Sequence, residues 1–344
     1  MQNIFVVGNS RSGTTMLGRV LGRNEEIHTF GELQVFNSLI GESATKANEI
    51  LNPVAARNFI ESILVRSRYG LWGNGQSDEL NQAVMTIYES AEALNVFDLY
   101  AECLAFETRE NGKVSALEQT PYYLTYYPEI SEYLPGSKFI CIVRDPRAVA
   151  LSQKGRWKRR MYGQGQQPIV KEVLRSWCTY NPLLMAKIWK NNLKLSEKYL
   201  QNPNFYRLKY ESLVSQPEVE LRALCQFLEI KYSDSMLAVP AIGSSLAKDY
   251  ESAAGMSNIH ELKWLDKELF TENERFLVEM VVKQQIRDLG YHPPFTGRIS
   301  VWSMVVELIG YSFKFPLLIV LNLISRNPLK LIHLVRRRVF GTGG

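Results

Sequence analysis

Eight residues near the amino terminus, Gly8-Asn9-Ser10-Arg11-Ser12-Gly13-Thr14-Thr15, have the glycine spacing of a loop that cradles phosphate. Such a loop works because its backbone N–H groups and the first turn of the following helix converge on an anion, helped by the helix dipole. Loops that hold a nucleoside triphosphate place a lysine after the second glycine to reach the terminal phosphates. Here that position is Thr14, and the cation stands inside the loop as Arg11. The arrangement suits a compact 5′-phosphate bearing one further charged group and argues against hydrolysis of ATP or GTP. A second set, Arg144-Asp145-Pro146-Arg147 followed by Ser152, can grip another phosphate. An arginine fork binds phosphate bidentately, and a serine hydroxyl two helical turns along adds a hydrogen bond. An ordinary helix start with an arginine paired to Asp145 is the plainer reading of that segment.

These residues need a scaffold that brings loops to one edge of a sheet. Ile4–Val7 is a wholly apolar run ended by Gly8, which predicts a buried parallel strand. Thr14–Arg23 carries Met16, Leu17, Val20 and Leu21 at helical spacing, so strand, loop and helix open a doubly wound α/β fold. Further strands are expected at Val114–Leu117, Lys138–Val143 and Phe205–Leu208. Arg144 then lies just past the carboxyl end of a strand, where sheets of this kind bind ligands, with Asp145 and Pro146 opening the next helix. Residues 48–112 read as helices broken at Gly70–Gly75, and long helices are expected at Ile169–Leu200 and Pro217–Leu228. Thr271-Glu272-Asn273-Glu274 is a capping box for a helix to about Leu289. Residues 1–297 thus form one P-loop-like doubly wound parallel sheet flanked by helices, and residues 298–344 an apolar, basic helical tail.

In order and spacing, the loop at Arg11–Thr15 and the pair Arg144 and Ser152 resemble the 5′-phosphosulfate loop and the 3′-phosphate motif of the sulfotransferases that use 3′-phosphoadenosine 5′-phosphosulfate (PAPS). The pattern is most similar to the tyrosylprotein and bacterial branches. Phe30-Gly31-Glu32 resembles the Gly-Glu element that supplies their catalytic base, which implies Glu32 as general base. Tyr206–Val214 resembles a segment whose tyrosine lies near adenine, which implies that role for Tyr210. Lys263-Trp264 resembles a Lys-Trp element near the phosphosulfate, which implies Lys263 at the leaving group. The resemblance covers residues 4 to about 294 and implies in-line transfer of a sulfuryl group from PAPS to a hydroxyl, leaving PAP, without a metal. Arg11 and the loop amides of Ser12, Gly13, Thr14 and Thr15 would carry the charge that develops.

Two positions depart from the family. Gln119 stands where many members have a lysine before a Thr-Pro pair, so one cation is missing, and Met16 replaces the tryptophan of the cytosolic small-molecule branch. The resemblance implies as acceptor a hydroxyl on a glycan, lipid, phenol or peptide tyrosine. The basic run Lys154, Arg156, Lys158, Arg159 and Arg160 could draw in an anionic one.

Composition bounds the remaining choices. In 344 residues, 46% hydrophobic and 22% charged residues describe a globular protein, and a net charge of +5 is too small to indicate nucleic acid. Four scattered cysteines fit reduced, buried thiols, and the four histidines never fall at ligand spacing, so no metal is expected. Met1-Gln2-Asn3 runs straight into the first strand without a signal-like segment, so a cytoplasmic location is expected. In the tail, Val301–Ile324 is long enough to cross a bilayer, but Glu307, Lys314 and Pro316 disfavour a span. An interfacial segment with Arg336–Arg338 on anionic head groups is the leading expectation, ahead of a tail packed on the domain or across a homodimer. A P-loop kinase or NTPase and a non-catalytic, membrane-associated nucleotide-binding protein are the alternatives to a sulfotransferase.

Overall fold

The computed structural model describes residues 1–36, 50–70, 73, 75–158, 170–238, 262–293 and 299–323. Arg159, Arg160 and Arg336–Arg338 lie outside the described residues. The chain divides into two compact units, residues 1–142 with 196–239 and residues 143–195 with 240–344.

In the first unit, β1 (Gln2–Gly8), α1 (Thr14–Leu21) and β2 (Ile27–Gly31) open the chain. They are followed by α2 (Pro53–Tyr69), α3 (Asp78–Ser90), α4 (Val96–Glu110), β3 (Ser115–Glu118), a short 3-10 turn (Pro121–Tyr126), α5 (Tyr127–Tyr133) and β4 (Lys138–Val143). The five strands run in the order β2-β3-β1-β4-β5, and β1 pairs parallel with both β3 and β4. Hydrophobic burial from the continuous apolar runs holds this sheet: Ile4, Phe5, Val6 and Val7 are buried, and Phe5 stacks on Phe139 with ring centroids 5.1 Å apart. Side-chain caps start α2, α3 and α4 at Asn52, Ser77 and Asn95.

The strands expected at the amino terminus and at Lys138–Val143 are present, as are the capping box at Thr271 and the helix at Pro217–Leu228. Two differences have local causes. β2 has no apolar run to announce it, because it is an edge strand whose His28 and Thr29 are only half-buried. The single long helix expected at Ile169–Leu200 is two, α7 (Val170–Cys178) and α8 (Pro182–Lys198). Pro182 cannot continue the first, and Asn181 caps the second by accepting from Leu184 N–H at 3.1 Å.

The first unit closes with β5 (Phe205–Lys209), α9 (Tyr210–Ser215) and α10 (Pro217–Leu228). The second unit contains α6 (Pro146–Lys154), α7, most of α8, a turn at Lys263–Leu265, α11 (Glu272–Asp288) and α12 (Val301–Leu323).

Candidate active site

The phosphate loop leaves the carboxyl end of β1 and is shaped by backbone that side chains would forbid. At Gly8, φ is +140° and a Cβ would lie 2.4 Å from the Ile142 carbonyl oxygen, so the strand can approach β4 only as glycine. Arg11 and Gly13 both lie at positive φ, 77° and 107°, on either side of Ser12. The turn between them is closed by Ser12 N–H, which donates to the Asn9 carbonyl at 3.1 Å. No side chain caps α1, which leaves its amino terminus open to an anionic ligand. Ser12 is fully buried and its Oγ has no hydrogen-bond partner, which fits a hydroxyl awaiting an acceptor oxygen. Thr14 is buried and Thr15 exposed. Tyr210 begins α9, and a Cβ on Gly13 would fall 2.6 Å from its ring, so the structure brings Arg11–Thr15 and Tyr210 together.

Glu32 follows the last residue of β2, on the same carboxyl edge as the phosphate loop. It is not in the next connection: β3 intervenes, which sets β2 roughly 10 Å from β1. The loop that carries Glu32 is pinned from several directions. Leu33 N–H donates to Glu118 Oε1 at 3.0 Å, Gln34 N–H to Thr120 Oγ1 at 3.3 Å and Val35 N–H to Tyr123 Oη at 2.7 Å. Arg66 donates to the Leu33 carbonyl at 2.6 Å, and Gln34 Nε2 donates to Glu32 Oε2 at 3.0 Å. Gln34 sits in the left-handed region, φ 53°, which this pinning sustains.

Glu118 is the centre of that clamp. It is buried, and it also accepts from the hydroxyls of Tyr100 and Thr120. Burial pushes its carboxyl up to about 7, with the hydrogen bonds from Thr120, Tyr100 and Leu33 pulling partly the other way. Beside it, Gln119 donates its N–H to the Gly31 carbonyl at 2.9 Å and turns its side chain onto α1. The amide oxygen lies 1.5 Å from where a Cβ of Gly18 would be. The position that lacks the family's lysine is therefore a buried packing contact.

In the second unit, Arg144 directly follows β4 and Ser152 lies on the last turns of α6. The carbonyl of Arg144 accepts from Trp189 Nε1 at 2.9 Å, which holds its backbone. Asp145 caps α6 by accepting from Arg147 N–H at 2.8 Å, with Pro146 in the first turn. Arg147 also pairs with Asp145 through its side chain. Arg147 is fully buried between Asp145 at 2.6 Å and Glu279 at 2.9 Å, and its guanidinium lies 3.7 Å from the Trp264 ring centroid. The same contact seats the turn that carries Lys263, which is half-buried. Lys154, the first residue of the basic run, points inward and pairs with Glu274 at 2.8 Å.

Residues 3–234 match the family model described as the Sulfotransferase family. The chain belongs to the sulfotransferase family. It is 24% identical over 241 residues to a Caenorhabditis briggsae protein named, provisionally, a protein-tyrosine sulfotransferase, covering 69% of this chain and 68% of that one. It is 23% identical over 263 residues to human carbohydrate sulfotransferase 6, covering 69% and 66% respectively. The chain thus spans about two thirds of the length of these relatives. Among solved structures, the sulfotransferase domain of the Synechococcus PCC 7002 olefin synthase superposes with a TM-score of 0.49 at 17% identity, covering 86% of this chain and 96% of that one.

Sequence reasoning missed what holds the loop of Glu32. Glu118 was visible in Glu118-Gln119-Thr120-Pro121, but its partners Tyr100 and Tyr123 and the neighbouring Arg66 sit far apart in the chain. A buried-carboxylate signal exists only once β3 is placed between β2 and β1.

Proposed function

We propose that this sulfotransferase moves the sulfuryl group of PAPS to a hydroxyl acceptor in line, with Glu32 as general base. The observation that carries the donor assignment is the loop. It has positive-φ backbone at Arg11 and Gly13, a buried Ser12 hydroxyl without a partner and a helix start without a side-chain cap, yet no lysine at Thr14. Arg11, the Ser12 hydroxyl and the amides of Gly13, Thr14 and Thr15 would hold the 5′-phosphosulfate, and Tyr210 the adenine side of the loop. Arg144 and Ser152, just after β4, would take the 3′-phosphate.

In the transfer, the acceptor oxygen forms a bond to sulfur while the bond from sulfur to the 5′-phosphate oxygen breaks. Glu32 removes the acceptor proton as that bond forms, and Lys263 would offset charge on the departing phosphate. The roughly 10 Å between β1 and β2 leaves room for sulfonate and acceptor oxygen in series. The clamp centred on Glu118 keeps Glu32 aimed, which matters because small misplacements of a base cost rate steeply.

Peptide tyrosine and sugar hydroxyls are the first acceptors to test, from what the relatives are named for. Four buried free cysteines support a reducing, cytoplasmic setting.

Calorimetric titration with PAP, adenosine 5′-phosphate and ATP tests the donor assignment. PAP should bind tightest, and Arg144→Ala should weaken PAP by roughly ten- to a hundredfold while leaving adenosine 5′-phosphate nearly unchanged. Equal loss for both ligands would remove the 3′-phosphate role from Arg144, and tighter binding of ATP would return the loop to nucleoside triphosphates.

A further inference from the structure

Helix α12 is amphipathic in the reverse of the usual sense. Four of its polar side chains face the unit it belongs to. Ser303 bonds Asn273 at 3.1 Å, Glu307 accepts from Thr271 at 3.2 Å, Tyr311 donates to Glu274 at 3.2 Å and Lys314 lies 4.1 Å from the Trp177 ring centroid. The opposite face carries Trp302, Val305, Val306, Ile309, Phe313 and Val320 at i, i+3, i+4 and i+7 spacing, with Trp302 77% and Phe313 75% exposed. No charged residue stands on that face. A soluble helix ordinarily buries such a stripe, so a continuous exposed one marks a contact surface.

We propose that the outward face of α12 docks on an anionic phospholipid bilayer, lying in the interface parallel to its plane. The chemistry that follows the helix supports this occupant. Residues 324–344 contain five cations, Arg326, Lys330, Arg336, Arg337 and Arg338, and no Asp or Glu, interleaved with leucine, isoleucine and valine. Cations next to an apolar stripe complement anionic head groups over an acyl layer. A second copy fits less well, because the uncharged face of a facing α12 offers those cations no anions. A span also fits less well, although Val301–Leu318 passes for one by length and composition, with a mean hydropathy of 1.3. Crossing would break the bonds of Ser303, Glu307 and Tyr311 and carry Glu307 and Lys314 into hydrocarbon. Trp302, at the start of the helix, suits the head-group level, where its ring is favoured.

The test uses the full chain and co-sedimentation with phosphatidylcholine vesicles containing phosphatidylglycerol, against vesicles of phosphatidylcholine alone. The protein should bind the anionic vesicles at low salt and be released at high salt. Ile309→Glu with Phe313→Glu should weaken binding roughly a hundredfold or more, since each side chain loses its transfer from water to an apolar layer. Both side chains are exposed, so the thermal midpoint should stay at the wild-type value, and the milder Trp302→Ser should lower binding in the same direction. Three results would each overturn the proposal: no binding at low salt, equal binding by the double variant, or resistance of the bound protein to alkaline carbonate. Loss of a wild-type dimer in the double variant, without vesicle binding, would assign the face to a second copy instead.

Discussion

Two buried charged centres support this sulfotransferase, and they solve the same problem in opposite ways. Glu118, at the end of β3, is a carboxylate surrounded by uncharged donors that holds the loop of Glu32. Arg147, at the start of α6, is a guanidinium caught between two carboxylates and a tryptophan ring that holds the turn of Lys263. The first is poised to titrate, with burial raising its carboxyl to about 7. The second never does: burial opposes the charge of Arg147, but Asp145 and Glu279 outweigh it and hold its pKa above the usual arginine value. Support of the proposed base should therefore depend on pH, and support of the proposed leaving-group cation should not.

The largest effect expected from this contrast comes from removing the cation. Arg147→Met removes the guanidinium shared by buried Asp145 and Glu279, although Arg275 still pairs with Glu279 at 3.0 Å, and should cost about 3–5 kcal/mol of unfolding free energy, read from urea denaturation. A loss under 1 kcal/mol would mean that the cluster is loosely made.

A comparable but pH-dependent change follows at Glu118. Its folded pKa is raised from the ordinary 4.5 to about 7, so its stabilising contribution is fully present below about pH 4.5 and is lost as pH rises through 7. Moving a carboxyl that far corresponds to roughly 3 kcal/mol. Glu118→Gln removes the titration, so wild type should lose about 3 kcal/mol relative to this variant between pH 4.5 and 8. Parallel stability curves would contradict a raised Glu118. Glu118→Ala should separately lower kcat by roughly ten- to a hundredfold through a slackened Glu32 loop, with PAP affinity unchanged. A matching fall in PAP affinity would place Glu118 in donor binding rather than in support of the base.

The smallest effect concerns Gly18, where a Cβ meets the amide of Gln119. Gly18→Ala should destabilise by about 1–3 kcal/mol, and adding Gln119→Ala should return most of it. An additive double variant would show that the two do not touch.

Much of this scaffold was legible because its signals are local. The apolar runs of β1 and β4, the glycine spacing of the phosphate loop, the Asp145-Pro146 helix start and the capping box at Thr271 each need only a few neighbouring residues. What was not legible depends on partners far apart in the chain. The edge strand β2 takes its place from pairing with β3 rather than from an apolar run of its own. The clamp on Glu32 joins residues from α2, α4, β3 and the 3-10 turn. In α12 the polar and apolar positions could be read at helical spacing, but which face is inward depends on Thr271, Asn273 and Glu274. Arg147 stands in the Arg144–Arg147 set that could grip a phosphate, and its burial against Glu279 and Trp264 depends on residues more than a hundred positions away.

The most direct test of the account is transfer of radiolabelled sulfate from PAPS to a panel of tyrosine peptide, glycan, phenol and lipid acceptors, by wild type and by Glu32→Gln. Wild type should label at least one acceptor class. The variant should bind PAP as wild type does and turn over roughly two to four orders of magnitude more slowly, the usual contribution of a general base. Turnover by Glu32→Gln equal to wild type, or no label transferred to any of the four classes, would contradict it.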